Sequence, residues 1–346
     1  MQKDNAISNC LNAPLISVCI PVYDTEVYLA QCLYSVIEQG LADFEIVIVS
    51  DASQGRDEKG RSAKRIIRHV GKEGNRYRKK RGLPPVDLRF IEHKENRGIL
   101  EVRRTLVTEA KGKYIAYIDS DDDFLPGALE TFYDAAVKNE ADIVHATFIS
   151  GHFDKEGTFI QSEREKCSNI FYGIVEKRTI ITSWLKGELS GNLCGKLIER
   201  QLVQNAFESI PYTECNMADD LLIFFFIALN AKKYIGLDKK LYRYRINSGM
   251  SSCRIINNLQ RWQFVCSSSS VFAVISQWIN ENPNYLSNEE VRLIKFKTVY
   301  YLENALQQMH ETVIPELKKQ AREMLCEYWG ESFVNRIEES ITKGDL

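Results

Sequence analysis

Short apolar runs alternate with stretches of helical spacing through the first 150 residues, and few folds accommodate that alternation. Apolar runs occupy 15–20, 44–49, 88–91, 113–118 and 142–149. Between them, 26–39 carries Tyr28, Leu29, Cys32, Leu33, Val36 and Ile37 at helical spacing, and 98–110 and 125–139 read the same way. Strands separated by helices imply an α/β fold, a mostly parallel sheet flanked by helices. Ligands of such sheets gather beyond the carboxyl ends of the strands. Pro21, Asp51 and the run Asp119 to Asp123 all fall at that edge.

That run is the densest chemistry in the chain. Tyr114-Ile115-Ala116-Tyr117-Ile118 leads into Asp119-Ser120-Asp121-Asp122-Asp123. Carboxylates crowded into one turn repel unless a cation sits among them, and Mg²⁺ or Mn²⁺ takes hard oxygen ligands and bridges to phosphates. Asp121, with Asp119, is the candidate metal pair. An acidic turn capping a helix that starts near Pro126 is the plain alternative, and Asp122 and Asp123 suit that role.

Composition narrows the class. With 346 residues, 44% hydrophobic content and a net charge of −2, the chain has material for a core but not the charge of a dedicated nucleic-acid binder. There is no apolar run of membrane-spanning length, and Met1 to Asn5 lacks the apolar stretch of a signal peptide. Nine cysteines show no Cys-x-x-Cys pair, Cys19 and Cys32 read as core, and a reducing cytoplasm is expected. Between the second and third strands, 56–81 holds twelve Lys or Arg against three Asp or Glu. It reads as a solvated insertion, helical over 62–70 and broken by Gly71 and Gly74, or as a patch for peripheral contact with anionic lipid at the inner face of a membrane. From 253 to 346 the chain reads as an α-helical region, with breaks at Pro283 and Pro315 and a homo-oligomer interface as one use.

The ordered series of motifs resembles glycosyltransferase family 2, the GT-A-fold enzymes that use nucleotide-sugar donors. The likeness begins at Ile16-Ser17-Val18-Cys19-Ile20-Pro21-Val22-Tyr23-Asp24 and continues through Tyr28-Leu29-x-x-Cys32-Leu33-x-Ser35-Val36-x-x-Gln39 and Glu45-Ile46-Val47-Ile48-Val49-Ser50-Asp51-Ala52-Ser53. Asn96-Arg97-Gly98-Ile99 and Lys111-Gly112-Lys113 through Asp122 extend it. Ser50 and Ala52 stand where the family often has Asp and Gly. The resemblance implies a GT-A domain over 1–252, with a nucleotide-sugar half at 14–150 and an acceptor half at 151–252. Asp51 would accept the uracil N3–H, Tyr23 and Pro21 would flank the base, and Ser120 would lie on the donor side. Arg103 would pair with Asp119 or the diphosphate. Ala218-Asp219-Asp220-Leu221-Leu222 resembles the family's acid pair, which makes Asp220 the general base beside Asp219. Ser190 to Leu197 resembles the acceptor segment, though an aromatic is frequent near Cys194 in relatives. Leu241-Tyr242-Arg243-Tyr244-Arg245 to Ser252 resembles the closing segment, from which Arg245, or Arg243 as the alternate, would reach the donor diphosphate.

The implied activity is metal-dependent, inverting transfer from a nucleotide-sugar, UDP-sugar first, to a sugar, lipid-linked or protein-linked acceptor. A nucleotidyltransferase would carry a Gly-rich loop after the first strand, and Val22-Tyr23-Asp24-Thr25-Glu26 has no glycine. A dinucleotide oxidoreductase lacks its Gly-x-Gly-x-x-Gly. A non-catalytic nucleotide-sugar-binding scaffold stays open.

Overall fold

The computed structural model describes residues 13–162, 168–246, 248 and 255–343. The start Met1 to Asn5 and the closing motif at Asn247 and from Gly249 to Ser252 therefore lie outside the described residues. Two compact units emerge: Met1–Ser209 with Phe224–Gly249, and Ile210–Ile223 with Met250–Leu346. The division expected at 252 falls beside the last crossing, but the helical unit also takes the segment Ile210–Ile223.

The first unit is built on one sheet. Its strands are β1 (Ile16–Val22), β2 (Phe44–Ser50), β3 (Asp87–Glu92), β4 (Tyr114–Tyr117), β5 (Asp123–Phe124), β6 (Ile143–Phe153), β7 (Phe159–Gln161), β8 (Gly173–Glu176), β9 (Lys196–Glu199) and β10 (Lys233–Arg245). The order is β3-β2-β1-β4-β9-β6-β10-β5, with β7 beside β6 and β8 beside β10. β1, β2, β3 and β4 pair in parallel, as do β6 and β10. β9 enters antiparallel between β4 and β6, so both sets keep one direction. The expected mostly parallel sheet is present, with short reversed strands at the wedge and the margins.

Helices α1 (Glu26–Ile37), α2 (Ala63–Lys80), α3 (Ile99–Glu109), α4 (Ala128–Asn139), α5 (Arg178–Leu185) and α6 (Arg200–Ser209) flank it. Ile16, Val18, Ile20 and Val22 of β1 join Leu29, Leu33, Ile66, Val70 and Phe132 in one buried cluster. The alternate residues Ser17 and Cys19 are also fully buried, which fits a strand covered on both faces. Helix α7 (Asp219–Asn230) starts in the second unit and ends in the first. The second unit adds α8 (Leu259–Cys266), α9 (Ser268–Glu281), α10 (Asn288–Thr312), α11 (Lys318–Trp329) and α12 (Glu331–Lys343), closed around Trp262, Leu302, Leu306 and Leu325. Pro283 follows α9 and Pro315 opens a 3-10 turn before α11, as their ring chemistry requires. Among the described residues no helix is long and apolar enough to cross a membrane. Cys19 and Cys32 are buried free thiols, whereas Cys10, Cys167 and Cys253 are not among the described residues.

One expectation fails outright. Gly71 and Gly74 do not break the basic segment, because α2 runs unbroken to Lys80. Both glycines face inward where a side chain has no room: a Cβ at Gly74 would stand 2.5 Å from Ile37 Cγ2, and one at Gly71 3.3 Å from Leu88 Cδ2. Close approach to α1 and β3 outweighs the roughly 1 kcal/mol per glycine in helix propensity. The helix is also tied down by Arg78, which is fully buried. Its guanidinium donates to the carbonyls of Ile37 (3.1 Å), Gln39 (2.7 Å), Leu41 (2.9 Å), Ala42 (3.4 Å) and Pro84 (2.7 Å), and it lies 5.0 Å from the Phe44 ring centroid. Those oxygens include the end of α1, where the helix dipole favours a cation. Arg78→Met is expected to strand them and lower unfolding free energy by on the order of 3 kcal/mol. Urea denaturation followed by circular dichroism measures this, and an unchanged midpoint would contradict it.

Candidate active site

Parallel register brings the expected edge together. Val22 of β1 pairs with Ser50 of β2, and Cys19 with Tyr117 of β4, so Pro21, Asp51 and Asp119 emerge at one margin of the sheet. Asp51 is buried and densely bonded. Oδ1 accepts from the Arg97 backbone N–H (2.9 Å) and lies 2.7 Å from His93 Nδ1, while Oδ2 accepts from the N–H of Arg97 (3.0 Å) and of Gly98 (2.9 Å). The carboxylate thereby fastens the turn that leads into α3 to the end of β2. An incoming imino donor at Asp51 has to share these acceptors. Tyr23 is half-buried nearby, and burial followed by the charges of Asp24 and Asp51 holds its phenol above the ordinary range, against a hydrogen bond with the Asn96 side chain. Ser120 is buried with its hydroxyl 2.6 Å from that of Thr25.

The four aspartates divide into two pairs. Asp122 and Asp123 are buried and spent inside the protein. Asp122 accepts from the Tyr242 hydroxyl (2.7 Å) and the Arg245 backbone N–H (2.7 Å); Asp123 accepts from Gln31 Nε2 (2.8 Å) and Arg243 (3.4 Å). Neither caps the following helix. α4 begins at Ala128 behind Gly127 in a left-handed conformation, with no side-chain cap. The sequence expectation of helix-capping acids is corrected: these two clamp the acidic turn to β10 and α1.

Asp119 and Asp121 are the other pair. Asp119 keeps 37% side-chain exposure and stands 3.6 Å from buried Arg103, whose guanidinium lies 5.2 Å from the Tyr117 ring centroid. Asp121 is half-buried and accepts from the Ser248 hydroxyl at 2.7 Å. Burial, and then the charge of Asp119, push the Asp121 carboxyl above the usual range, while the Ser248 bond opposes the shift. Two hard oxygen donors of like charge fit a divalent cation, and a binding site that also draws on substrate phosphates needs few protein ligands. Among the described residues no group of three or more His, Cys, Asp or Glu is placed to hold a metal by itself.

Arg245 ends β10 and is pinned there. Its guanidinium donates to the Asp121 carbonyl (2.9 Å) and Gln31 Oε1 (2.9 Å), and sits over Tyr28 (4.6 Å) and Phe153 (4.4 Å). It thus braces the acidic turn. The segment Ser190 to Leu197 is bound to itself: Lys196 is buried, reaches the Asn192 carbonyl and lies 5.2 Å from the Phe224 ring centroid, and Asn192 Nδ2 donates to the Cys194 carbonyl at 2.6 Å.

Asp219 and Asp220 open α7 in the second unit, where the dipole favours acids. Asp219 is buried; Asp220 is half-buried, and its Oδ1 accepts from the Leu221 N–H at 2.8 Å. Their charges, after burial, raise the Cys215 thiol and the Tyr301 phenol. Sequence reasoning passed over His93, Gln31, Tyr242 and Ser248. The alternating Tyr-Arg strand was the available signal for Tyr242, and His93 is a polar residue just past a strand end. Nothing local distinguishes Gln31.

These features coincide with a known family. The glycosyl transferase family 2 model matches residues 17–203, and the chain belongs to that family. Glycosyltransferase GlyA of Streptococcus pneumoniae is 30% identical over 250 residues, covering 68% of this chain and 31% of GlyA. The putative glycosyltransferase EpsH of Bacillus subtilis is 27% identical, covering 68% of this chain and 62% of EpsH. The chain thus spans less than two thirds of either relative. S. aureus TarS 1–349, solved with UDP-GlcNAc, shares the GT-A-type fold at a TM-score of 0.53 and 18% identity, over 95% of this chain and 92% of that one.

The raised Asp121 carboxyl has a stability consequence. Its folded value exceeds its unfolded one, so ionisation costs stability as pH rises through the folded value and costs nothing below the unfolded value. In metal-free buffer, Asp121→Asn is expected to raise the melting temperature at pH 7, with the gain vanishing in acid. A loss of stability at pH 7 would contradict this.

Proposed function

We propose that the chain is a metal-dependent, inverting glycosyltransferase that moves a sugar from a nucleotide-sugar, a UDP-sugar in the first instance, to an acceptor hydroxyl in polysaccharide or glycoconjugate assembly. One observation carries the reading: of four adjacent aspartates at the sheet margin, two are clamped internally and the other two, Asp119 and Asp121, stand next to Arg103 beside Asp51 and Tyr23. The relatives' names support the chemistry. TarS was solved with UDP-GlcNAc, a Pyrobaculum calidifontis mannosyltransferase of TM-score 0.50 with GDP-Man and Mn²⁺, and GgaB of Bacillus subtilis is named a minor teichoic acid biosynthesis protein.

Asp121 and Asp119 are the residues that would hold a divalent cation, which when bound offsets the charge of the donor diphosphate. Arg103 adds fixed positive charge beside Asp119. Tyr23 presents a half-buried ring to a base, and Asp51 presents acceptors to its imino edge. Asp220, with Asp219 behind it at the head of α7, accepts the proton of the acceptor hydroxyl as the oxygen attacks the anomeric carbon.

Asp220→Asn is expected to lower transfer by about 10²–10⁴-fold while UDP affinity stays within about twofold. Transfer assays with radiolabelled UDP-sugars and calorimetry with UDP measure the two arms. Unchanged transfer removes Asp220 as base. UDP binding without transfer across a broad donor and acceptor panel would favour the scaffold reading.

A further inference from the structure

The exposed face of α2 is a cationic ridge, and we propose that it docks the chain on an anionic lipid bilayer. This rests on charge and shape and is independent of the transferase reading. Lys64, Arg65, Arg68, Lys72, Arg76, Lys79 and Lys80 are all exposed, whereas Ala63, Ile66, Ile67, Val70, Gly71, Gly74 and Arg78 are buried. At 3.6 residues per turn the seven cations fall within about 160° of the circumference, along a helix roughly 27 Å long. None of the seven forms an ion pair with an acidic side chain among the described residues. Glu73, the one acid of the helix, is turned aside to the Tyr34 hydroxyl (2.5 Å) and to His69 (3.4 Å).

The charge is local. The segment 56–81 carries a net +9 in a chain of net −2, so the remainder carries −11. A negatively charged body with one cationic ridge is oriented by a planar anionic surface, which engages the ridge along its whole length. These ammonium and guanidinium groups are solvated and flexible, and no buried donor among them forms a cage for a single phosphate. Fluid headgroups adapt to such spacing. Tyr77 is 37% exposed beside the ridge, with Arg81 donating to its hydroxyl at 2.7 Å, an amphipathic ring suited to the bilayer interface. Arg78 anchors the same helix to the fold from within, so the ridge is held rigidly against the first unit.

Co-sedimentation of the full chain with vesicles tests this. Binding is expected to vesicles of phosphatidylcholine with phosphatidylglycerol, not to phosphatidylcholine alone, and to weaken as salt rises. Each near-surface cation is worth about fivefold in partitioning, so R68Q/K72Q/R76Q/K79Q is expected to lose on the order of 100-fold or more. Circular dichroism confirms that the variant is folded; should it not fold, R68Q/K72Q is tested in its place, with a loss of roughly tenfold or more expected. K72R/K79R keeps the charge and should retain binding. Equal binding to both vesicle types, no binding to the anionic ones, or unchanged binding by the glutamine variant overturns the proposal. So does binding of soluble polyphosphate in place of vesicles, which would assign the ridge to a dissolved polyanion.

Discussion

Like-charge repulsion within one turn is the constraint around which the first unit is arranged. Four carboxylates in five residues cannot all face one another at low cost. The fold resolves this by drawing Asp122 and Asp123 inward, where Tyr242, Arg243, Gln31 and the Arg245 backbone meet them. That arrangement recruits β10 and α1, elements more than 80 residues away on either side, to the end of β4. Asp119 and Asp121 keep the outward positions, one beside Arg103 and the other under the Ser248 hydroxyl. Burial places Asp121 above the ordinary carboxylate range, so a bound cation and the stability of the turn are thermodynamically linked.

Arginine recurs as the tie between elements, each time with different chemistry. Arg78 satisfies backbone carbonyls without any carboxylate partner. Arg103 faces Asp119 across an aromatic ring, and Arg245 spans a carbonyl, an amide and two rings. Planar multidentate donation suits all three, and lysine could not replace it. Asp51 does the converse work, joining three donors at the mouth of α3.

Much of the fold was legible because burial on both faces writes strands as continuous apolar runs. The runs ending at Pro21, Ser50 and Ile118 lie within a few residues of β1, β2 and β4. The antiparallel wedge of β9 and the two-residue β5 were not legible, since a short strand has no periodicity to detect. Gly71 and Gly74 misled because glycine reads as a breaker locally, whereas here tertiary contact with Ile37 and Leu88 decides. Asp122 and Asp123 misled for the same reason: an acid before a helix suggests a cap, and the competing partners lie far away in sequence. The grouping of Ile210–Ile223 with the C-terminal helices, which carries Asp219 and Asp220 into the second unit, is a matter of long-range packing that no local pattern records.

The central claim is that Asp119 and Asp121 hold a cation that holds a nucleotide diphosphate. Calorimetric titration of UDP with and without Mn²⁺, on the wild-type chain and on Asp119→Asn with Asp121→Asn, tests it most directly. The account predicts at least about tenfold tighter UDP binding with Mn²⁺ in the wild type and none of that gain in the double variant, a difference of about 1.4 kcal/mol. Equal manganese enhancement in both proteins, or none in the wild type, would contradict it.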